Sequence, residues 1–155
     1  MTSAIVSEDQ LLELAARVFQ EAAFCFIEPL DGGVSLDDEL LVASISFTGK
    51  VQGRLHIAAP PDLAAIVAAN LLGLEPDEES VLELRNGALG ELLNMVAGQL
   101  FHECLGADND TQLGLPETRT MSGEAFAALL DTATVHATGL MEDEQRIDFA
   151  LQFLS

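Results

Sequence analysis

The chain has 155 residues, enough for one domain with a sizeable core, and 49% of them are hydrophobic with no Trp or Tyr, which makes that core aliphatic. Twenty-six acids against six Lys and Arg leave a formal net charge of −20, a balance that repels phosphate backbones and anionic membrane surfaces. Nucleic-acid and peripheral-membrane roles are set aside on that ground, and solubility is the commoner use of such acidity.

The opening Met-Thr-Ser-Ala-Ile-Val-Ser-Glu-Asp has no basic n-region and no apolar h-region, and no apolar run reaches the length of a membrane span. The expectation is a soluble cytoplasmic protein. Ser7 with Gln10 forms a capping box, Glu8 and Asp9 suit the positive end of the helix dipole, and the helix is predicted to run to about Phe24. A short strand over Phe26–Leu30 precedes an Asp31-Gly32-Gly33 turn. Leu40–Thr48, with Val42, Ser44, Ser46 and Thr48 in partial alternation, and Arg54–Ala58 read as a hairpin closed by Gly49-Lys50-Val51-Gln52-Gly53. Pro60-Pro61 stops the second arm and opens a helix through Leu72, ended by Gly73.

After the acidic loop Glu75-Pro76-Asp77, Ser80 with Glu83 is read as a second capping box, opening a long helix that ends near Leu105 with Gly106 as its stop. Residues 107–123 read as looser, with a short strand around Thr111–Leu115. Ser122 caps a short helix through Leu130. The last strands, Thr132–Thr138 and Arg146–Leu154, are joined by Glu142-Asp143-Glu144. Runs of adjacent strands among helices predict one α+β (α/β two-layer) domain over the whole chain, a mostly antiparallel sheet with helices packed on it.

Chemistry is thin outside the long helix. His56, His102 and His136 have no metal-ligand spacing, and no cofactor fingerprint, P-loop or nucleophile elbow is present, so no cofactor or metal of the chain's own is expected. Cys25 and Cys104 lie far apart in apolar surroundings; they could pair, but buried reduced thiols are the better reading.

The long helix is unusual. Gly87, Gly90 and Gly98 each cost about 1 kcal/mol relative to Ala in a helix interior. At roughly 100° per residue, Leu82, Leu89, Leu93, Val96 and Leu100 form one apolar stripe, whereas Gly87, Glu91, Asn94 and Gly98 fall within about 60° of each other on the far side. One acid and one carboxamide thus stand between residues without side chains, with Met95 and Leu84 beside them as soft apolar contacts. A Glu and an Asn three apart most often mean only a solvated helix face. The lowered surface and the poor helix propensity of Asn94 argue for a visitor.

Glu91-Leu92-Leu93-Asn94-Met95-Val96-Ala97-Gly98 resembles the E-x-x-N-M-x-x-G signature of the CheX/CheC family of chemotaxis phosphatases. Phe47-Thr48-Gly49 with Gly53-Arg54-Leu55 is similar to that family's glycine hairpin, Leu63–Gly73 to the following helix, and Gly114-Leu115-Pro116 to the stretch after the signature, so the likeness spans roughly residues 40–120. The resemblance implies a phosphatase acting on the phospho-aspartate of a CheY-like receiver domain in two-component signalling. It implies that Asn94 orients the attacking water, that Glu91 pairs with the receiver's active-site lysine, and that Gly87, Met95 and Gly98 form the docking surface. Any Mg²⁺ would belong to the receiver. No second E-x-x-N occurs in the first helix, where Glu8, Glu13 and Glu21 precede Leu11, Ala16 and Phe24, so the chain looks like the single-motif CheX type. That type implies a homodimer, for which Arg146–Leu154 is taken as the exposed sheet edge. Many members carry Asp or Ser where this chain has Gly87. A non-catalytic module that docks a receiver without hydrolysing its phosphate is the alternative. A structural dimer domain, with glycines serving helix packing, is the third reading.

Overall fold

In the computed structural model the described residues are 6–30, 35–75, 77, 79–106, 110–141 and 145–154, with Leu82 described by its backbone alone. The expected turns at Asp31-Gly32-Gly33 and Glu142-Asp143-Glu144 lie outside these residues, as does Pro76.

Helix α1 (Glu8–Ala23) begins at the predicted capping box: Gln10 N–H donates to Ser7 Oγ at 3.1 Å, and Ser7 N–H donates to Gln10 Oε1 at 2.8 Å. It ends on Phe24, which takes the left-handed conformation (φ 53°). Strand β1 (Glu28–Pro29) is only two residues long. The hairpin β2 (Glu39–Thr48) and β3 (Gln52–Ala59) turns at Gly49, whose φ of 137° disfavours any side chain. Helix α2 (Pro61–Leu72) ends on Gly73 in the left-handed region (φ 72°), as the sequence indicates. The long helix α3 (Glu79–Leu105) stops at Gly106, φ 93°. Ser80 lies inside this helix, not before it, so the Ser80/Glu83 box is not the helix start.

Strands β4 (Gln112–Leu113) and β5 (Glu117–Ser122) follow, then α4 (Gly123–Leu130), capped by the Ser122 hydroxyl, which accepts from Ala125 N–H at 3.0 Å. Strand β6 (Val135–Met141) starts three residues later than expected, because Thr132 closes α4 instead: its N–H and its hydroxyl both donate to Leu129 O. Gly139 pairs with Pro29 of β1, and its missing side chain makes room for Ile27, since a Cβ there would lie 2.4 Å from Ile27 Cγ2. Strand β7 (Gln145–Leu154) is last.

All neighbouring strands are antiparallel, in the order β1-β6-β7-β3-β2-β4, and β5 pairs with β2 on the same side as β4. The six-residue β5 falls in the stretch that the sequence marks as loose, because its side chains are mostly polar on both faces. Its partner is fixed only by pairing with β2, from Glu39↔Ser122 to Ser44↔Glu117. β7 is not an edge: β3 and β6 bond to either side of it, so its backbone is spent within the sheet and cannot pair with a second chain.

Alternation gives the sheet two faces. Leu41, Ala43, Ile45, Phe47, Leu55, Ile57, Ile147, Phe149 and Leu151 form the main core with α1, α2 and α3. On the other face a smaller cluster of Leu40, Val42 and Ala58 packs under Phe126 of α4. No described helix is long and apolar enough to cross a membrane.

Candidate functional site

The sequence stripe on α3 is the buried one: Leu89, Leu93, Val96 and Leu100 are inside, joined by Leu92, Ala97 and Phe101. Burial of these side chains, at about 25 cal/mol per Å² of apolar area, holds the helix on the sheet despite its glycines. The opposite arc is open. Glu83, Gly87, Glu91, Asn94 and Gly98 are all exposed, with Leu84 49% and Met95 39% exposed beside them.

The three helix glycines separate into two kinds. A Cβ on Gly90 would stand 3.3 Å from Pro116 Cβ, so Gly90 lets the segment before β5 lie against α3, where Thr118 Oγ1 also donates to Asn86 O at 3.0 Å. At Gly87 and Gly98 a Cβ would meet nothing within 4 Å among the described residues. Packing within this chain therefore accounts for Gly90 and leaves the helix-propensity cost of Gly87 and Gly98 without an internal reason.

Between those two open glycines stand Glu91 and Asn94, one turn apart, with Cβ atoms about 5–6 Å from each other by helix geometry. Among the described residues neither side chain makes a hydrogen bond or ion pair, although Gln99 and Glu103 on the same helix bond to each other at 2.7 Å. A carboxylate offers acceptors alone, whereas a carboxamide offers both donors and acceptors without charge. Presented together on a lowered surface, they can grip a cation and orient a polar group beside it.

The other polar residues considered from sequence are used inside the fold. His56 is buried on β3, with Nδ1 2.6 Å from Ser44 Oγ and Nε2 2.7 Å from Gln152 Oε1. Burial holds its pKa below the ordinary histidine value; the Gln152 bond opposes this, and the charges of Arg54 and Arg119 add to it. His136 Nε2 lies 2.6 Å from Asp148 Oδ2, and Arg146 closes on the same carboxylate at 2.9 Å. Burial pushes the Asp148 carboxyl up, but the hydrogen bonds and charges of His136 and Arg146 outweigh it and hold it below the usual range. The sequence signals only the i,i+2 pairs Arg146/Asp148 and His136/Thr138, which alternation puts on one face of each strand; strand pairing, with Thr138 opposite Asp148, brings the two pairs together. His102 is exposed on α3. Cys25 is buried as expected, but Cys104 is half-buried, and the two form no disulfide. Burial, helped by the Glu103 charge, raises the Cys104 thiol pKa, which suppresses the reactive thiolate. Among the described residues no group of three or more His, Cys, Asp and Glu side chains could hold a metal ion.

The comparisons bear on fold and family. A CheX from Borrelia burgdorferi, solved in a CheX-CheY-BeF3-Mg²⁺ complex, is similar to this chain with TM-score 0.73 at 18% identity, covering 97% of this chain and 99% of that one. The chemotaxis protein CheX from Vibrio vulnificus is similar with TM-score 0.68 at 17% identity, over 94% of this chain and 95% of the other. CheX from Desulfovibrio desulfuricans gives TM-score 0.63 at 17% identity, over 92% and 96%. At such identities these likenesses establish the fold. No curated protein is a significant match. The family model described as chemotaxis phosphatase CheX matches residues 41–145, a span that includes the hairpin, α3 and β5, and on that match the chain belongs to the CheX family.

Proposed function

We propose that this chain is a phosphatase that hydrolyses the phospho-aspartate of a CheY-like receiver domain. The observation that carries the reading is the exposed Glu91/Asn94 pair, unbonded among the described residues, between two glycines whose missing side chains leave open space. The family match and the CheX–CheY complex solved for the Borrelia relative support a receiver as the visitor.

Phosphoryl transfer depends more on positioning and on neutralising charge than on covalent help. The Asn94 carboxamide, laid beside the acyl phosphate, accepts a hydrogen bond from the attacking water and donates one to a phosphoryl oxygen, fixing an in-line approach. It adds no negative charge there, as a second carboxylate would. Glu91 pairs with the receiver's lysine and sets the register of docking; Gly87 and Gly98 let the helix come close, and Met95 supplies adaptable apolar contact. The chain needs no metal of its own in this scheme, since the Mg²⁺ sits in the receiver.

The test is loss of phosphate from a phosphorylated receiver, followed with wild type, Glu91→Ala and Asn94→Ala. Wild type is expected to accelerate it, Asn94→Ala to lose about a hundredfold of that acceleration, and Glu91→Ala to weaken docking. Acceleration that survives Asn94→Ala removes the mechanism. Binding without turnover selects the non-catalytic docking module, for which Gly87 in place of the family's frequent Asp or Ser is the favouring observation. The implied homodimer belongs to the same proposal, with its edge moved from β7 to the outer side of β5, where no described strand pairs. Light scattering that finds a monomer at micromolar concentration removes that part.

A further inference from the structure

The sheet face turned away from α1, α2 and α3 carries a pocket of about 150 Å³ lined by Ser44, Ile45, Ser46, Arg54, Leu115 and Glu117. Strand register gives this pocket a polarity. Arg54 on β3 stands opposite Ser46 of β2, and Glu117 on β5 stands opposite Ser44, so the cation and the acid lie on either side of β2. Two strand spacings and a two-residue offset along β2 separate their backbones by roughly 12 Å, with the two hydroxyls between.

The direction of the hydrogen bonds sharpens it. Thr132 Oγ1 donates to Leu129 O, the Gln152 amide donates to Thr132 Oγ1, and Gln152 Oε1 therefore accepts from His56 Nε2. That leaves His56 Nδ1 as an acceptor, so Ser44 donates its only hydroxyl proton to it and presents lone pairs to the pocket. One end, Glu117 with Ser44, offers acceptors, with Arg119 two residues further along β5 beyond the pocket lining. The other, Arg54 with the Ser46 hydroxyl, which makes no bond among the described residues, offers donors.

Neither Arg54 nor Glu117 makes a side-chain hydrogen bond or ion pair among the described residues, so both charges stay open to a ligand. Leu115, 88% exposed, stands at the rim as an apolar wall; it is held in place by Gly114 N–H donating to Ser46 O at 2.8 Å. We propose that this pocket binds a small zwitterion of the α-amino acid class, its carboxylate on Arg54 and Ser46, its ammonium on Glu117 and Ser44, and its side chain against Leu115. A ligand with no net charge escapes the repulsion that a chain of −20 imposes on free anions.

The experiment is a titration of the full chain with L-alanine, acetate and methylamine at constant ionic strength, read by backbone amide NMR shifts. Alanine is expected to give saturable shifts at Ser44, Ser46 and Leu115, with acetate and methylamine binding about tenfold more weakly or worse because each satisfies one end alone. Arg54→Gln and Glu117→Gln, both at exposed positions, are each expected to weaken alanine binding about tenfold. The absence of saturable shifts, acetate matching alanine, or both variants binding like wild type overturns the proposal. Neither residue lies on α3, so failure here is separable from failure of the phosphatase reading.

Discussion

Two polar regions of this molecule use the same side-chain chemistry in opposite ways. On the sheet face away from α3, Asp148 is 1% exposed, and its carboxylate is closed by His136, Thr138 and Arg146. On the outer arc of α3, Glu91 and Asn94 are exposed and make no bond among the described residues. A buried charge must be satisfied within the chain or it costs several kcal/mol. An exposed pair on a helix weakened by glycines carries no such debt, and its bonds are left for a partner. The difference separates groups that hold the fold from groups that face outward.

The largest effect should come from breaking the closed region. Asp148→Ala removes the carboxylate that His136, Thr138 and Arg146 share inside the sheet, and is expected to destabilise the fold by about 3 kcal/mol, read as a drop in urea midpoint. A loss within experimental error would show that the network is not structural. Next is Asn94→Ala, expected to lower receiver dephosphorylation about a hundredfold, or about 2.7 kcal/mol of barrier, while raising the urea midpoint slightly, since Ala is the better helix former at an exposed position. Equal losses of stability and activity would erase the contrast between the two regions.

The pH dependence should also belong to the closed region. His56 has a folded pKa below the ordinary 6.5, so the unfolded chain binds the proton more readily, and stability should fall as pH drops below that value. The slope for one such group is at most about 1.4 kcal/mol per pH unit. Asp148, whose folded pKa lies below the ordinary 3.8, should hold its contribution until pH falls beneath that value and then lose it. Urea midpoints measured from pH 7 to 3 should show both windows, and His56→Gln should flatten only the upper one.

The smallest effect is the most diagnostic. Gly87→Ala and Gly98→Ala have open space for the new methyl and should each stabilise the chain by up to about 1 kcal/mol. The same variants should weaken receiver docking, a gain in stability set against function. Gly90→Ala places its Cβ 3.3 Å from Pro116 and should gain less. Tighter docking by either outer variant would show that the open glycines do not serve a partner.

Much of this was legible in the chain itself. The capping box at Ser7, the helix from Pro61 to Gly73, the stop at Gly106 and the cap at Ser122 are set by local chemistry, because a hydroxyl, a proline or a left-handed glycine acts within a few residues. The exposed side of α3 was legible for the same reason, since helical periodicity alone assigns Glu91 and Asn94 to one face. β5 was not legible, because its polar side chains become a strand only when β2 offers a partner. Nor was the interior place of β7, which a sequence with β-branched and apolar residues could equally have put at an edge.

The sequence alone therefore determined the helices, their ends apart from the start of α3, and the face that carries Glu91 and Asn94, all products of contacts three or four residues apart. Tertiary structure alone decided which glycine serves packing and which serve openness, since Gly90 meets Pro116 from a distant part of the chain while Gly87 and Gly98 meet nothing. It also decided the buried fate of His56 and Asp148, whose partners reach them across strands. Local propensity acts through the chain's own covalent neighbours, but pairing and burial depend on residues that only the completed sheet brings together.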